Sequence, residues 1–240
     1  MVYEPQEDSF LLKEFVKRYA KGVVLDIGTG SGIQAKEAAH SKKTTKVFAV
    51  DIDKAALTYA KRHVDHGRHK KITWQRSDLF SVFKGKKYSH HFDTIIFNAP
   101  YLPQDHHERD IALEGGKEGH ETIARFLKEA NQYLKKNGVI LLAYSSLTPH
   151  MQDVVQENLF VGNVLGKKHI FFEDIIVSRI KRHPTLNALE KKGVCNISFF
   201  AKGKRGLVFT GLYKRRTVAI KIKREQSTAH GTVTLEANML

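Results

Sequence analysis

With 240 residues and a hydrophobic fraction of 41%, the chain has room for one large domain, or a domain with an appendage, and enough apolar residues for a real core. No apolar run approaches the roughly 18 residues of a membrane helix, the N-terminal "MVYEPQEDSF" lacks a basic-then-apolar signal pattern, and the single Cys195 excludes an intramolecular disulfide and points to a reduced, cytoplasmic setting. The formal charge of +15 calls for a polyanionic partner or environment. From residue 23 to about 182, strand-like and helix-like segments alternate. "VVLDIG" (23–28) is a β-branched run ending in glycine, followed by an alanine-rich helix over 31–40. "KVFAVD" (46–51) is a second strand and "KAALTYAKRHV" (54–64) a second helix. "KITWQRSD" (71–78) and "FDTIIFN" (92–98) are further strands. A helix with Ile123, Phe126, Leu127 and Ala130 on one face precedes "GVILLAYSS" (138–146), and "FFEDIIVSRIKR" (171–182) is a closing strand. Such alternation predicts an α/β fold: a Rossmann-like, mostly parallel sheet with helices on both faces.

His183-Pro184 breaks the pattern, and a domain boundary is placed there, dividing the chain into 1–183 and 184–240. After a short helix over 185–193, "NISFFAKGK", "LVFTGLYK" and "RTVAIKIKR" are three short strands with turn signals and no helix between them, which predicts an antiparallel meander. A last helical stretch is expected over 227–240. Residues 201–240 hold nine Lys/Arg and two Asp/Glu, a formal +7, so this basic tail is a candidate contact for RNA or the ribosome.

The first candidate site is "LDIGTGSG" (25–32), with Asp26, Gly28, Gly30 and Gly32 between a strand and a helix. The glycines allow a sharp turn and close backbone approach to a ligand. A dinucleotide site would carry G-x-x-G spacing in the last pair and no acid beside the loop. An acid there repels pyrophosphate and suits an ammonium or sulfonium charge, which favours S-adenosylmethionine over NAD. Asp51 ends the second strand, where the crevice of an open α/β sheet lies and where an acid can accept both ribose hydroxyls. Asp78 ends the third strand and can accept from an adenine amino group, with Leu79 against the base.

The second candidate site is "NAPY": Asn98, Ala99, Pro100 and Tyr101 at the end of the fourth strand. An amide or aromatic amine nitrogen is a poor nucleophile because its lone pair is delocalised. The Asn98 side-chain oxygen and the carbonyl of residue 99 are suited to accept its two hydrogens, and Tyr101 to stack on its planar group. Thirteen histidines include the pairs His90-His91 and His106-His107, but H-x-x-x-H and C-x-x-C spacings are absent and no structural metal is expected.

"FNAPY" resembles the N-P-P-Y motif of amino methyltransferases. "VYEPQEDSFLL" (2–12) and "ALEGGKEGHETIARFL" (112–127) resemble the corresponding blocks of HemK-like methyltransferases that modify the glutamine of the Gly-Gly-Gln motif in peptide chain release factors. The archaeal and eukaryotic branch fits best, over about residues 2–182. The resemblance implies that Ser9 lies against the methionine part of the cofactor, with Asp26 on its ammonium, Asp51 on the ribose and Asp78 on the adenine. Asn98, Pro100 and Tyr101 would grip the acceptor glutamine. It also implies a small zinc-containing activator subunit on an apolar sheet edge, for which the strand around Ile72 and Trp74 is the candidate. Ala99 departs from the motif's first proline: the carbonyl is kept, while the fixed φ and the missing N–H are not, which predicts a less preorganised loop.

"AKGKRGLVFTGLYKRRTVAIKIKRE" (201–225) resembles the beginning of a protein-kinase small lobe, with Gly203, Gly206 and Val208 as a phosphate-covering turn, Lys221 as its lysine and Glu236 as the lysine's partner. Within these residues no H-R-D loop or D-F-G metal site follows, so phosphoryl transfer is not expected. The leading reading is therefore S-adenosylmethionine-dependent glutamine N5-methylation of a release factor. An adenine-N6 RNA or DNA methyltransferase and a non-catalytic RNA binder that keeps the fold stand as alternatives.

Overall fold

The computed structural model describes residues 4–64, 70–103, 114–204 and 206–223. Glu236 and the helix expected over 227–240 lie outside the described residues. The order is α1 (Glu7–Tyr19), β1 (Gly22–Ile27), α2 (Ile33–His40), β2 (Thr44–Asp51), α3 (Lys54–Val64), β3 (Ile72–Arg76), β4 (Phe92–Asn98), the short β5 (Leu102–Pro103) and β6 (Glu114–Gly116), α4 (Glu121–Tyr133) and β7 (Leu134–Ser145). Then come α5 (Met151–Glu157), β8 (Phe160–Ile170), β9 (Glu173–Arg182), α6 (Pro184–Lys191), β10 (Cys195–Gly203), β11 (Gly206–Tyr213) and β12 (Arg216–Lys223).

Seven strands form the main sheet in the order β3-β2-β1-β4-β7-β9-β8. The first five are mutually parallel, while β9 runs antiparallel to both β7 and β8. Strict alternation along the central strands gives the sheet two apolar faces. Ile95 and Phe97 of β4 pack with Leu25, Phe126 and Leu142 on one side, under α4. Ile96 packs with Val24, Ala49, Leu141 and Leu12 on the other, under α1 and α2. Strands buried on both faces need apolar residues at every position, which is why the run 94–97 carries no polar side chain beyond Thr94, itself buried.

The expected closing strand is present as β9, but its partner β8 was not anticipated. Residues 160–170 carry Gly162, Asn163, Gly166, Lys167 and Lys168, and as an edge strand with one ladder partner β8 needs no apolar alternation. The helix α5, too short for a clear period, was also not anticipated. The expected meander is the separate antiparallel sheet β10-β11-β12, whose core of Leu207, Phe209, Val218, Ile220 and Ile222 takes in Leu186 and Leu189 of α6 and Leu159 from the turn before β8. Buried Arg182 fastens the joint: its guanidinium donates to Asn131 and Asn187 Oδ1 at 3.2 and 2.8 Å and meets Glu190 Oε1 at 2.5 Å.

Candidate active site

Parallel strands all deliver their carboxyl ends to one edge of the sheet, and β2, β1 and β4 bring Asp51, the Asp26 turn and Asn98 there. Asp26 is 1% exposed and accepts from the Thr29 hydroxyl at 2.6 Å. Burial, with a smaller push from Asp51, holds its carboxyl up at about 7, against the lowering hydrogen bonds of Thr29 and the Ala35 backbone. A carboxyl so placed gains by meeting a cation. Gly28 and Gly30 sit at φ +61° and +52°, a left-handed geometry that costs a side chain energy, so the turn after β1 presents bare backbone. Gly30 N–H donates to Asp51 Oδ2 at 2.9 Å, and Asp53 N–H to Asp51 Oδ1 at 2.9 Å. These bonds fix the Asp51 carboxylate beside the turn and leave it lone pairs for hydroxyl donors. Burial raises its carboxyl too.

Asp78 stands differently from its neighbours. Its half-exposed carboxylate forms a fork with Arg125 of α4, at 3.0 and 2.6 Å. Leu79 is buried, with φ +46°, and the Ser77 hydroxyl donates to its carbonyl at 2.8 Å. These bonds tie down the loop after β3, and Arg125, which the sequence did not single out, occupies the Asp78 carboxylate.

Asn98 carries the clearest signal. Its side-chain NH₂ donates to Asp8 Oδ2 at 2.9 Å and to Ser9 Oγ at 3.3 Å. A carboxylate only accepts, so it fixes which end of the amide is nitrogen. The other end, Asn98 Oδ1, is buried and lacks any hydrogen-bond partner among the described residues. A buried acceptor left unmet costs about 1–3 kcal/mol, which a ligand N–H removes. Ser9 lies beside Asn98, and its hydroxyl accepts from the Asn98 amide. Its carbonyl accepts from Gln34 Nε2 at 2.8 Å, tying α1 to α2. Asp8, missed at the sequence level as a first-turn helix acid, orients the central amide.

Ala99 is buried, and its N–H donates to the Ala143 carbonyl at 3.4 Å. That bond extends the β4–β7 ladder by one step, so part of the order a proline would impose on this turn comes from a backbone bond no proline could make. Pro100 and Tyr101 follow, and the segment 114–119 closes over them. A Cβ on Gly115 would lie 2.6 Å from the Pro100 carbonyl, and one on Gly119, at φ +91°, would lie 2.4 Å from that of Tyr101. The glycines of "EGGKEG" are needed for this backbone-to-backbone approach, which β5 and β6 complete as a parallel pair. Tyr101 is half-buried, and its phenol is pushed well above its ordinary value by burial and by the carboxylates of Asp8 and Glu173. It stays a neutral hydroxyl.

In the small sheet, Gly203 and Gly206 face each other across the β10–β11 turn and Lys221 stands opposite Val208. They lie on a sheet apart from the crevice residues. Among the described residues no cluster of three His, Cys, Asp or Glu is placed to hold a metal.

The methyltransferase small domain family model matches residues 7–167. A relative in Methanocaldococcus jannaschii, named provisionally as a protein N5-glutamine methyltransferase, is 35% identical over 183 residues, covering 73% of this chain and 89% of the relative. A release factor glutamine methyltransferase of Rhodopirellula baltica is 35% identical over 145 residues, 56% of this chain and 48% of that protein. A ribosomal protein uL3 glutamine methyltransferase of Bradyrhizobium diazoefficiens is 36% identical over 128 residues, 49% of this chain and 39% of its own. The chain thus spans under half the length of these bacterial relatives. Among solved structures, a chain of the E. cuniculi Mtq2–Trm112 complex, responsible for methylation of the eRF1 translation termination factor, superposes with a TM-score of 0.59 at 24% identity, covering 75% of this chain and 98% of that one. That likeness is one of fold.

Proposed function

The chain belongs to the methyltransferase small domain family, and on that premise we propose that it is an S-adenosylmethionine-dependent enzyme that methylates the side-chain amide nitrogen of a glutamine in a peptide chain release factor. The observation that carries the reading is the buried, unpartnered Asn98 Oδ1 at the carboxyl edge of the sheet. The residues present suit the cofactor: Asp26 for its ammonium, the bare backbone of Gly28 and Gly30 beside it, Asp51 for its ribose hydroxyls, and Asp78 with Leu79 for its adenine. When bound, the cofactor supplies an electrophilic methyl group on a sulfonium.

The chain's own part is positioning. Asn98 Oδ1 accepts one N–H of the acceptor amide and the Ala99 carbonyl the other, which turns the nitrogen lone pair toward the crevice. Asp8 and Ser9 hold the Asn98 amide in the orientation that makes it an acceptor. Tyr101 and Pro100 flank the planar group. Donating both hydrogens to fixed oxygens concentrates electron density on the nitrogen as it bonds to carbon, and that stabilisation grows toward the transition state. The nitrogen sheds its proton easily after transfer, so no strong base is required.

The same grip suits the amino group of an adenine, and the +15 charge suits a nucleic acid, but the Tyr101 phenol, raised first by burial, is raised further by the negative charge of Asp8 and Glu173. They disfavour a phosphate backbone there and favour the polypeptide. The edge strand β3, with Trp74 half-buried, is the proposed seat of a small zinc-containing activator subunit. The basic β10–β12 unit is a proposed separate module with an RNA or ribosome contact. Transfer of a labelled methyl group from S-adenosylmethionine to a release factor, with and without a candidate subunit, tests the reading. Label appearing only in RNA or DNA would reject it.

A further inference from the structure

Beside the acceptor mouth stands a feature that neither the fold nor the cofactor site explains. Strands β8 and β9 pair as far as Ile170 and Glu173, leaving Phe171 and Phe172 as the two-residue turn. Both rings face solvent, at 88% and 94% exposure. Phe171 also sits at φ +49°, in a region that turns ordinarily give to glycine or asparagine. Two bulky aromatics are thus exposed and one is strained, where cheaper turn residues would close the hairpin as well. Strain and exposed apolar area held together are a mark of a working surface.

Its place is fixed by the topology. β9 is antiparallel to β7, so the hairpin tip lies at the carboxyl edge of the sheet with Asn98. It is clamped there: the Ser145 hydroxyl donates to Glu173, Ser146 N–H donates to the Asp174 carbonyl at 2.8 Å, and Asp174 N–H to the Ser146 hydroxyl at 2.9 Å. The Glu173 carboxylate adds to the upward push that burial and Asp8 exert on the Tyr101 phenol. Other exposed apolar side chains adjoin the site in the chain: Phe10 follows Ser9, Leu102 follows Tyr101, and Leu147 follows the end of β7.

We infer that Phe171 and Phe172, with Leu147 and Leu102, form the dock for the glutamine-bearing loop of the acceptor polypeptide, holding the residues that flank the glutamine while Asn98 holds its amide. This rests on the glutamine-methylating reading above. The occupant is a neutral or basic polypeptide, on two grounds. The collar is continuous with a grip that needs a primary amide. Among the described residues the acids at the tip are Glu173 and Asp174, in a chain otherwise strongly basic. His169 is occupied with Asp174 at 2.9 Å, and Lys167 and Lys168 lie farther down β8. A phosphate backbone would meet acids here, whereas an apolar or basic peptide would not.

The test compares the unaltered chain with a Phe171→Ser/Phe172→Ser variant and a Phe171→Leu/Phe172→Leu variant. For each, the affinity for S-adenosylmethionine, the affinity for the release factor, and KM and kcat for methyl transfer to it are measured. The serine variant keeps its cofactor affinity and melting temperature, binds the factor about tenfold or more weakly with KM raised in step, and retains kcat within about twofold, because exposed aromatics of this kind act as binding anchors. The leucine variant recovers most of the affinity. Methylation with KM unchanged in the serine variant overturns the dock. A factor that binds through these residues yet receives no methyl group sinks the reaction and leaves the dock standing. RNA that displaces the factor from the unaltered chain, but not from the serine variant, also overturns the proposal.

Discussion

Replacing Asp8 by asparagine changes one oxygen to nitrogen and keeps the shape. It also removes the group that decides which way Asn98 faces. In the native arrangement the Asp8 carboxylate accepts from Asn98 Nδ2 at 2.9 Å, a charge-assisted bond worth about 1.5–3 kcal/mol. Ser9 Oγ, at 3.3 Å, can serve either end of an amide because a hydroxyl both donates and accepts. With Asn at position 8, the Asn98 amide is free to turn over and present N–H, rather than oxygen, to the acceptor. A bias of about 1.5–3 kcal/mol corresponds to roughly one to two decades in rate. Asp8→Asn should therefore lower kcat about 10- to 100-fold, with cofactor affinity within about twofold of native. The assay is single-turnover methyl transfer from labelled cofactor, with calorimetric cofactor binding alongside. A variant that turns over at the native rate would refute the claim that Asp8 orients the grip.

The buried Asp26 carboxyl, raised to about 7 by desolvation, must ionise to hold an ammonium. Cofactor affinity should then rise with pH and level off above 7, falling about tenfold per unit below it, and Asp26→Asn should abolish that slope in calorimetric titrations. The same shift has a stability consequence of opposite sign. Between 3.8 and about 7 the folded chain holds a proton on Asp26 that the unfolded chain has released. Without cofactor the protein should thus lose on the order of a few kcal/mol as pH rises through this window; thermal unfolding at pH 5 and 8, with Asp26→Asn as control, checks it. Gly115→Ala places a methyl group against two backbone carbonyls and should cost about 1–3 kcal/mol of stability, with transfer lost more completely than fold, as read by melting and turnover together. Arg125→Ala breaks a half-exposed pair with Asp78, so stability should move by no more than about 1 kcal/mol in denaturant titrations.

The parallel core was legible because buried strands between helices leave apolar runs of fixed length, and Val23–Leu25 and Ile95–Phe97 are such runs. The edge was not. β8 is held by one ladder partner and by α1, where the ring of Phe15 lies against Gly166, and neither relation leaves a period in the sequence. Site residues at strand ends, Asp26, Asp51 and Asn98, could be placed because the strand fixes them. Asp8 and Ser9 are brought to Asn98 from 90 and 89 residues away, and no local pattern tells which residue of a helical turn meets a distant strand. Asp78 shows the same limit in reverse: the strand expected to run to it ends at Arg76, two residues short, and its fork with Arg125 was not visible.

The central claim is that the Asn98 oxygen receives the acceptor amide. It is tested most directly by mass spectrometry of a release factor after incubation with S-adenosylmethionine and either the unaltered chain or Asn98→Ala, the cofactor affinity of each being known. One added methyl group on the glutamine side-chain nitrogen with the unaltered chain, and none with a variant that still binds cofactor, is the predicted result. Methylation at native rate by Asn98→Ala, or a methyl group on any other atom, would contradict it.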